Sequence, residues 1–191
     1  MNDIFSSLTI HAVLAPAGRR SLIPGSIRDG FKSAITEIVD SKNQTLLACA
    51  CLPDHVHLLL QVDTETILTR FLQQVKSASA VWMNREAGLT AGFMWQRGFG
   101  VFTYSTAQRR TLADYFSRQE DYHRTRSFRE EYTLLLHRMG IPYEMHQLFD
   151  FYEDVRTWSD EKRRQPHLNS MAGHGALPGS CAIPALRVLS R

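Results

Sequence analysis

Two histidines separated by one apolar residue, His55-Val56-His57, follow a Pro53-Asp54 turn and lead into Leu58-Leu59-Leu60. Alternate side chains of a strand share a face. Val56, Leu58 and Leu60 are therefore expected to face a core while His55 and His57 project together from the other side. Two imidazoles so placed can reach one divalent cation, although most such pairs in sequences hold no metal. Further along, Tyr115 and Gln119 stand at i and i+4, one turn apart on the same helical face. A tyrosine hydroxyl titrates near pH ~10, so as a nucleophile it needs a polarised electrophile. A metal on phosphate oxygens supplies that polarisation and favours the phenolate. Gln119 offers an uncharged oxygen suited to a hard cation such as Mg²⁺ or Mn²⁺. A core tyrosine beside a surface glutamine is the plainer use of such a pair, and in isolation it is the favoured one.

Other chemistry-bearing residues admit two uses each. Arg109, Arg110, Arg118, Arg124 and Arg126 crowd one short stretch, with Arg129 just beyond. They suit bidentate phosphate contacts on DNA or a solvated helix face. His123, one turn after Gln119, fits an outer contact to the metal site, a phosphate contact or the surface. Tyr104 and Tyr122 are rival nucleophiles, but neither has glutamine four residues on. Trp95 and Phe99 can stack on bases, with core packing the better use of Trp95. His11 lies on a strand expected to adjoin the histidine pair, and nothing identifies it as a ligand. Cys49 and Cys51 have no matching pair for a zinc site and read as small buried residues.

The elements that must position these residues follow from periodicity. Residues 7–14 alternate as a half-buried strand does. From Ser26, Ile27, Phe31, Ile35 and Ile38 mark one face of a helix. Strands are expected over 45–52 and 55–62. A helix over about 64–86 follows, burying Ile67, Leu68, Phe71, Val75 and Trp82, and then a glycine-interrupted strand over 93–104. The order β-α-β-β-α-β predicts an α+β, ferredoxin-like split β-α-β antiparallel sheet, with helices on one face. The other sheet face is left for something else, and a further helix, over 111–123, carries Tyr115. Ser127 and Glu130 form a capping box for another helix that stops at Gly140.

The 191 residues, 43% hydrophobic, suffice for one folded domain and exclude global disorder. No stretch approaches the ~20 apolar residues of a membrane span, and the opening Met1-Asn2-Asp3-Ile4 does not read as a leader. Three cysteines form no disulfide framework, so a cytoplasmic setting is expected. Net charge is +3, yet residues 161–191 hold five basic residues and one acid. The basic balance belongs to that segment, and the rest of the chain is nearly neutral. A catalytic domain over 1–155 and a flexible basic tail over 156–191 are expected.

Taken together, Pro53-Asp54-His55-Val56-His57, Phe93-Met94-Trp95-Gln96-Arg97-Gly98-Phe99-Gly100, Tyr115-x-x-x-Gln119 and His123-x-x-x-Ser127-Phe128-x-Glu130-Glu131 resemble the single-tyrosine HUH transposases. These are the IS200-like enzymes of bacterial and archaeal insertion sequences, REP-associated tyrosine transposases among them. The resemblance covers about residues 5–150. It implies a ferredoxin-like fold, His55, His57 and Gln119 as ligands of Mg²⁺ or Mn²⁺, and Tyr115 as the residue that attacks DNA. The implied activity is cleavage and rejoining of single-stranded DNA at hairpin-bearing ends through a 5′-phosphotyrosine. The implied assembly is a homodimer, in which Tyr115 can serve its own or the partner's histidines. A domesticated relative acting on chromosomal repeats, a metal-dependent phosphodiesterase and a non-catalytic nucleic-acid-binding module are the alternatives.

Overall fold

The computed structural model describes residues 6–18, 22–86 and 92–152. The segment expected to be a basic tail, 156–191, lies outside the described residues. β1 (Leu8–Leu14), α1 (Arg28–Asp40), β2 (Thr45–Cys51), β3 (Val56–Val62), α2 (Leu68–Glu86) and β4 (Gly100–Tyr104) occur in the expected order. The sheet order is β2-β3-β1-β4, with every neighbouring pair antiparallel. β3 thus separates β1 from β2, as the split β-α-β arrangement requires. The sheet is open at its β2 and β4 edges.

Each strand divides its residues between two cores. On one side Ile10, Ala12, Leu14, Val56, Leu58 and Leu60 pack against Phe31, Ile35 and Val39 of α1 and Phe71, Leu72 and Val75 of α2. The opposite side is covered by three further helices: α3 (Arg109–Ser117), α4 (Gln119–Tyr122) and α5 (Phe128–Arg138). There Val13, Leu59 and Phe102 meet Leu112, Tyr115, Phe116, Phe128 and Tyr132. Both sheet faces are therefore buried, and the second encloses the histidines. Among the described residues no helix is long and apolar enough to cross a membrane.

Local chemistry moved several boundaries. α2 starts at Leu68 rather than near 64, because Asp63 Oδ1 accepts from the Glu65 and Thr66 N–H groups and holds a turn there. Ile67, expected on the buried side, is 66% exposed as a result. The fourth strand covers only 100–104. Pro16 and Trp95 form an isolated antiparallel bridge, with Ala17 N donating to Met94 O and Gln96 N donating to Ala15 O. Beyond it Lys76 Nζ takes the carbonyls of Gln96, Arg97 and Gly98 at 2.6–3.1 Å, so no continuous ladder runs into β4. Trp95 belongs to the core: it stacks on Phe31 and donates from Nε1 to Ser79 Oγ. Phe99 packs against the same core. The helix expected over 111–123 is divided at Arg118 (φ −107°, ψ 12°) into α3 and α4.

α5 is bounded as expected. Ser127 Oγ accepts from Glu130 N, and Glu130 Oε2 accepts from Ser127 N. At the other end Gly140 adopts φ 65°, and the N–H groups of Gly140 and Ile141 donate to His137 and Leu136. This is a Schellman stop, which needs a residue tolerant of positive φ.

Candidate metal centre and tyrosine

β3 enters the second core from the Pro53-Asp54 turn and brings His55 and His57 with it, each 0% exposed. Each ring is held through Nδ1. Asp54 Oδ1 lies 2.8 Å from His55 Nδ1, and His11 Nε2 lies 2.8 Å from His57 Nδ1. His11 reaches this position because β1 is the sheet neighbour of β3. It is a partner of His57 that the sequence left without a role. The His55 ring also stacks on Phe128 of α5, centroids 4.0 Å apart and planes within 4°.

α3 and α4 deliver Tyr115 and Gln119 to the same place, on the same chain as the histidines. The Tyr115 and His57 rings lie 6.4 Å apart. Both Tyr115 and Gln119 are buried; Tyr115 belongs to the second core, and the surface position of the glutamine in the plainer reading does not hold. The Tyr115 hydroxyl donates to Glu131 Oε1, and Gln119 Nε2 donates to the same oxygen at 2.9 Å.

Glu131 went unassigned at the level of sequence, and it is the hub of the site. Its Oε2 lies 3.0 Å from His123 Nε2, 3.3 Å from His57 Nε2 and 3.4 Å from His55 Nε2. A signal was available: Phe128, Glu131, Tyr132 and Leu135 are spaced i, i+3, i+4, i+7, so an acid sits inside the apolar stripe of α5. His123 is buried in the site, which excludes the surface reading, with Nδ1 3.0 Å from the Arg126 carbonyl oxygen.

The electrostatics of the cluster follow from burial and pairing. Burial opposes charge on His55, but Asp54 and Glu131 outweigh it and push its pKa up to about 9. His57 and His11 are lowered by burial; for His11 the neighbouring His57 adds to the effect. Burial disfavours the Glu131 carboxylate, yet His57, His123 and His55 hold it well below the usual carboxylate range. The Tyr115 hydroxyl is pushed well above the ordinary phenol value by burial and by Glu131.

The arginines separate. Arg109 is tied into the sheet, its guanidinium donating to Thr9 Oγ1, Gln61 Oε1 and Ser7 Oγ. Arg110, Arg118, Arg124 and Arg126 are exposed; Arg124 pairs with Asp121, and Arg126 lies over the Tyr122 ring. Tyr104 is buried at the end of β4, and Tyr122 packs edge-on to Tyr115 at 5.7 Å. Cys51 is buried and Cys49 half-buried, both free.

The donor set fits a divalent cation. Nε2 of His55, Nε2 of His57 and Oε1 of Gln119 are buried with no hydrogen-bond partner among the described residues. His55, His57, His123 and Glu131 offer ligand atoms that all lie within 4.8 Å of one another.

Against known proteins, the family described as "Transposase IS200 like" matches residues 4–119. The chain is 25% identical to the ISDra2 transposase TnpA of Deinococcus radiodurans over 119 residues, 60% of this chain and 85% of that protein. It is 28% identical to the transposase for insertion sequence element IS200 of Salmonella typhimurium over 116 residues, 57% of this chain and 74% of that one. A solved REP-associated tyrosine transposase bound to a REP hairpin aligns with a TM-score of 0.47 and 18% identity, covering 64% of this chain and 74% of that chain.

Proposed function

Because the chain belongs to the IS200-like transposase family, we propose that it cuts and rejoins single-stranded DNA at hairpin-bearing ends, with Tyr115 as the nucleophile. The observation that carries this reading is the convergence of Tyr115 and Gln119 with the buried His55–His57 pair through the two oxygens of one carboxylate, Glu131. His55, His57 and Gln119 hold a divalent cation, Mg²⁺ or Mn²⁺, through the buried atoms left without hydrogen bonds. When bound, the metal polarises the phosphate and stabilises charge developing on its oxygens.

The protein's own groups do the rest. Asp54 and His11 hold the two imidazoles so that Nε2 of each faces the centre. The Tyr115 oxygen attacks phosphorus as the bond to the 3′ oxygen breaks, and the proton it held toward Glu131 ends on that departing oxygen, giving a 5′-phosphotyrosine and a free 3′-hydroxyl. Attack by a 3′-hydroxyl on that linkage reverses the exchange, restores Tyr115 and joins strands without hydrolysis. Exposed Arg110, Arg118, Arg124 and Arg126, with Arg109 and His123 less accessible, are candidate DNA contacts. Joining two ends calls for two sites, and a homodimer supplies them; light scattering showing a monomer with and without DNA contradicts it.

The test is covalent capture. Full chain, Mn²⁺ and a labelled single-stranded oligonucleotide with a hairpin are expected to give a slower, SDS-resistant protein–DNA band. Tyr115→Phe removes only the attacking oxygen, so the band disappears while DNA binding persists. Cleaved DNA without an adduct assigns a phosphodiesterase instead.

A further inference from the structure

The family match ends at residue 119, so His123 and Glu131 lie beyond it. The metal centre implied by the resemblance needs neither. Their surroundings in this chain are nonetheless those of ligands. His55 Nδ1 faces Asp54 Oδ1, and His123 Nδ1 faces the Arg126 carbonyl oxygen. Both partners only accept, so each Nδ1 donates to them and the ring is held with Nε2 facing inward. Nε2 of His123 and Nε2 of His55 both point at Glu131 Oε2, at 3.0 Å and 3.4 Å. Nε2 of His55 and Nε2 of His57 are buried with no hydrogen-bond partner among the described residues. Buried polar atoms left in this way are costly unless a bound group completes them, and a cation among the imidazoles and the carboxylate does so. The separations of Glu131 Oε2 from the three Nε2 atoms, 3.0–3.4 Å, also fit. Donors bound about 2.0–2.2 Å from one cation lie roughly 2.8–3.6 Å apart at adjacent corners of an octahedron or tetrahedron.

We propose that His123 and Glu131 join His55 and His57 as metal ligands, making a three-imidazole, one-carboxylate centre that takes Mn²⁺, Co²⁺ or Zn²⁺ in preference to Mg²⁺. The inference rests on the reading of His55 and His57 as ligands and deepens it. Mg²⁺ seeks oxygen ligands and retains water, whereas imidazole nitrogen suits the first-row transition metals. Glu131 then has a second task. Its Oε1 holds the Tyr115 hydroxyl and the Gln119 amide, so the ligand that closes the centre also positions the nucleophile beside it.

The experiment uses the full chain stripped with chelator and then titrated calorimetrically with MnCl₂, ZnCl₂ or MgCl₂, without DNA. Mn²⁺ and Zn²⁺ are expected to bind at least about tenfold tighter than Mg²⁺. Glu131→Gln and His123→Ala each weaken Mn²⁺ binding about tenfold or more. Pulsed electron paramagnetic resonance of Mn²⁺ bound to the wild-type chain is expected to show nitrogen couplings from three imidazoles, a readout independent of whether a variant folds. Couplings from two imidazoles, or folded variants that bind Mn²⁺ like wild type, overturn the proposal. If the three-imidazole spectrum appears and no DNA adduct forms, the functional reading fails and this one stands. If the adduct forms on a two-imidazole centre, this proposal alone fails.

Discussion

The two faces of the sheet are built from the same strands and hold opposite chemistry. On β3, Val56, Leu58 and Leu60 enter a core of aliphatic and aromatic side chains under α1 and α2. One residue out of phase, His57 joins His11, His55, His123, Gln119 and Glu131 under α3 to α5. Both faces are buried, so burial alone does not mark the site. The first face needs only shape and apolar area. The second must satisfy every polar group it encloses, and Nε2 of His55, Nε2 of His57 and Oε1 of Gln119 have no hydrogen-bond partner among the described residues. Buried polar atoms in that condition cost stability unless a ligand completes them.

Substitutions on the two faces are expected to separate function from stability. His57→Ala should abolish the SDS-resistant adduct and weaken metal binding by roughly 10–100-fold, while hairpin binding in a mobility-shift assay persists. Leu58→Ala, one residue away, should cost about 2–5 kcal/mol in denaturant unfolding through the cavity it leaves. Under folding conditions that variant should keep wild-type metal affinity. If Leu58→Ala lowers metal affinity as much as His57→Ala does, the faces are not independent.

A smaller effect is expected at the start of α5. Ser127→Ala removes the cap oxygen that accepts from Glu130 N and should lower stability by about 0.5–2 kcal/mol. Because α5 carries Glu131, adduct formation should fall with it when measured near the unfolding midpoint and not well below it.

An effect confined to alkaline pH belongs to the apolar face. Burial pushes the thiols of Cys49 and Cys51 up, the former to about 12. In the unfolded chain a thiol ionises near pH ~8.5, so above that pH the folded state binds more protons and stability falls as pH rises toward 12. Replacing both cysteines by alanine should flatten the alkaline limb of a stability-versus-pH curve. An unchanged slope would assign that limb to other groups, such as Tyr104 and Tyr132, each raised to about 12 by burial.

Much of this was legible in the chain. Period-two alternation put His55 and His57 opposite Val56 and Leu58, a local pattern that the sheet kept. The i, i+4 spacing of Tyr115 and Gln119 brought both to Glu131 although the helix breaks between them at Arg118. Ser127-x-x-Glu130 and Gly140 bounded α5 because caps are chosen by the backbone within a single turn. Where the reading missed, a side chain from elsewhere had taken over a backbone group. Lys76 claimed the carbonyls of 96–98, so the fourth strand came out short. Arg109 is a different case: it donates to side-chain oxygens of residues 48 and 100 or more positions away, contacts that no local pattern announces.

The sequence by itself determined the order of elements, the two-faced β3 and the tyrosine helix, because periodicity and capping depend on neighbours within a few residues. Only the tertiary structure decided which groups meet. His11 arrives through the β1–β3 register, and His123 and Glu131 arrive because α4 and α5 fold back over the sheet. Such meetings join residues up to 76 positions apart (His55 and Glu131). Nothing local specifies them; they are fixed by the apolar packing of α3 to α5 on the second face, which sets how close the carboxylate comes to the imidazoles.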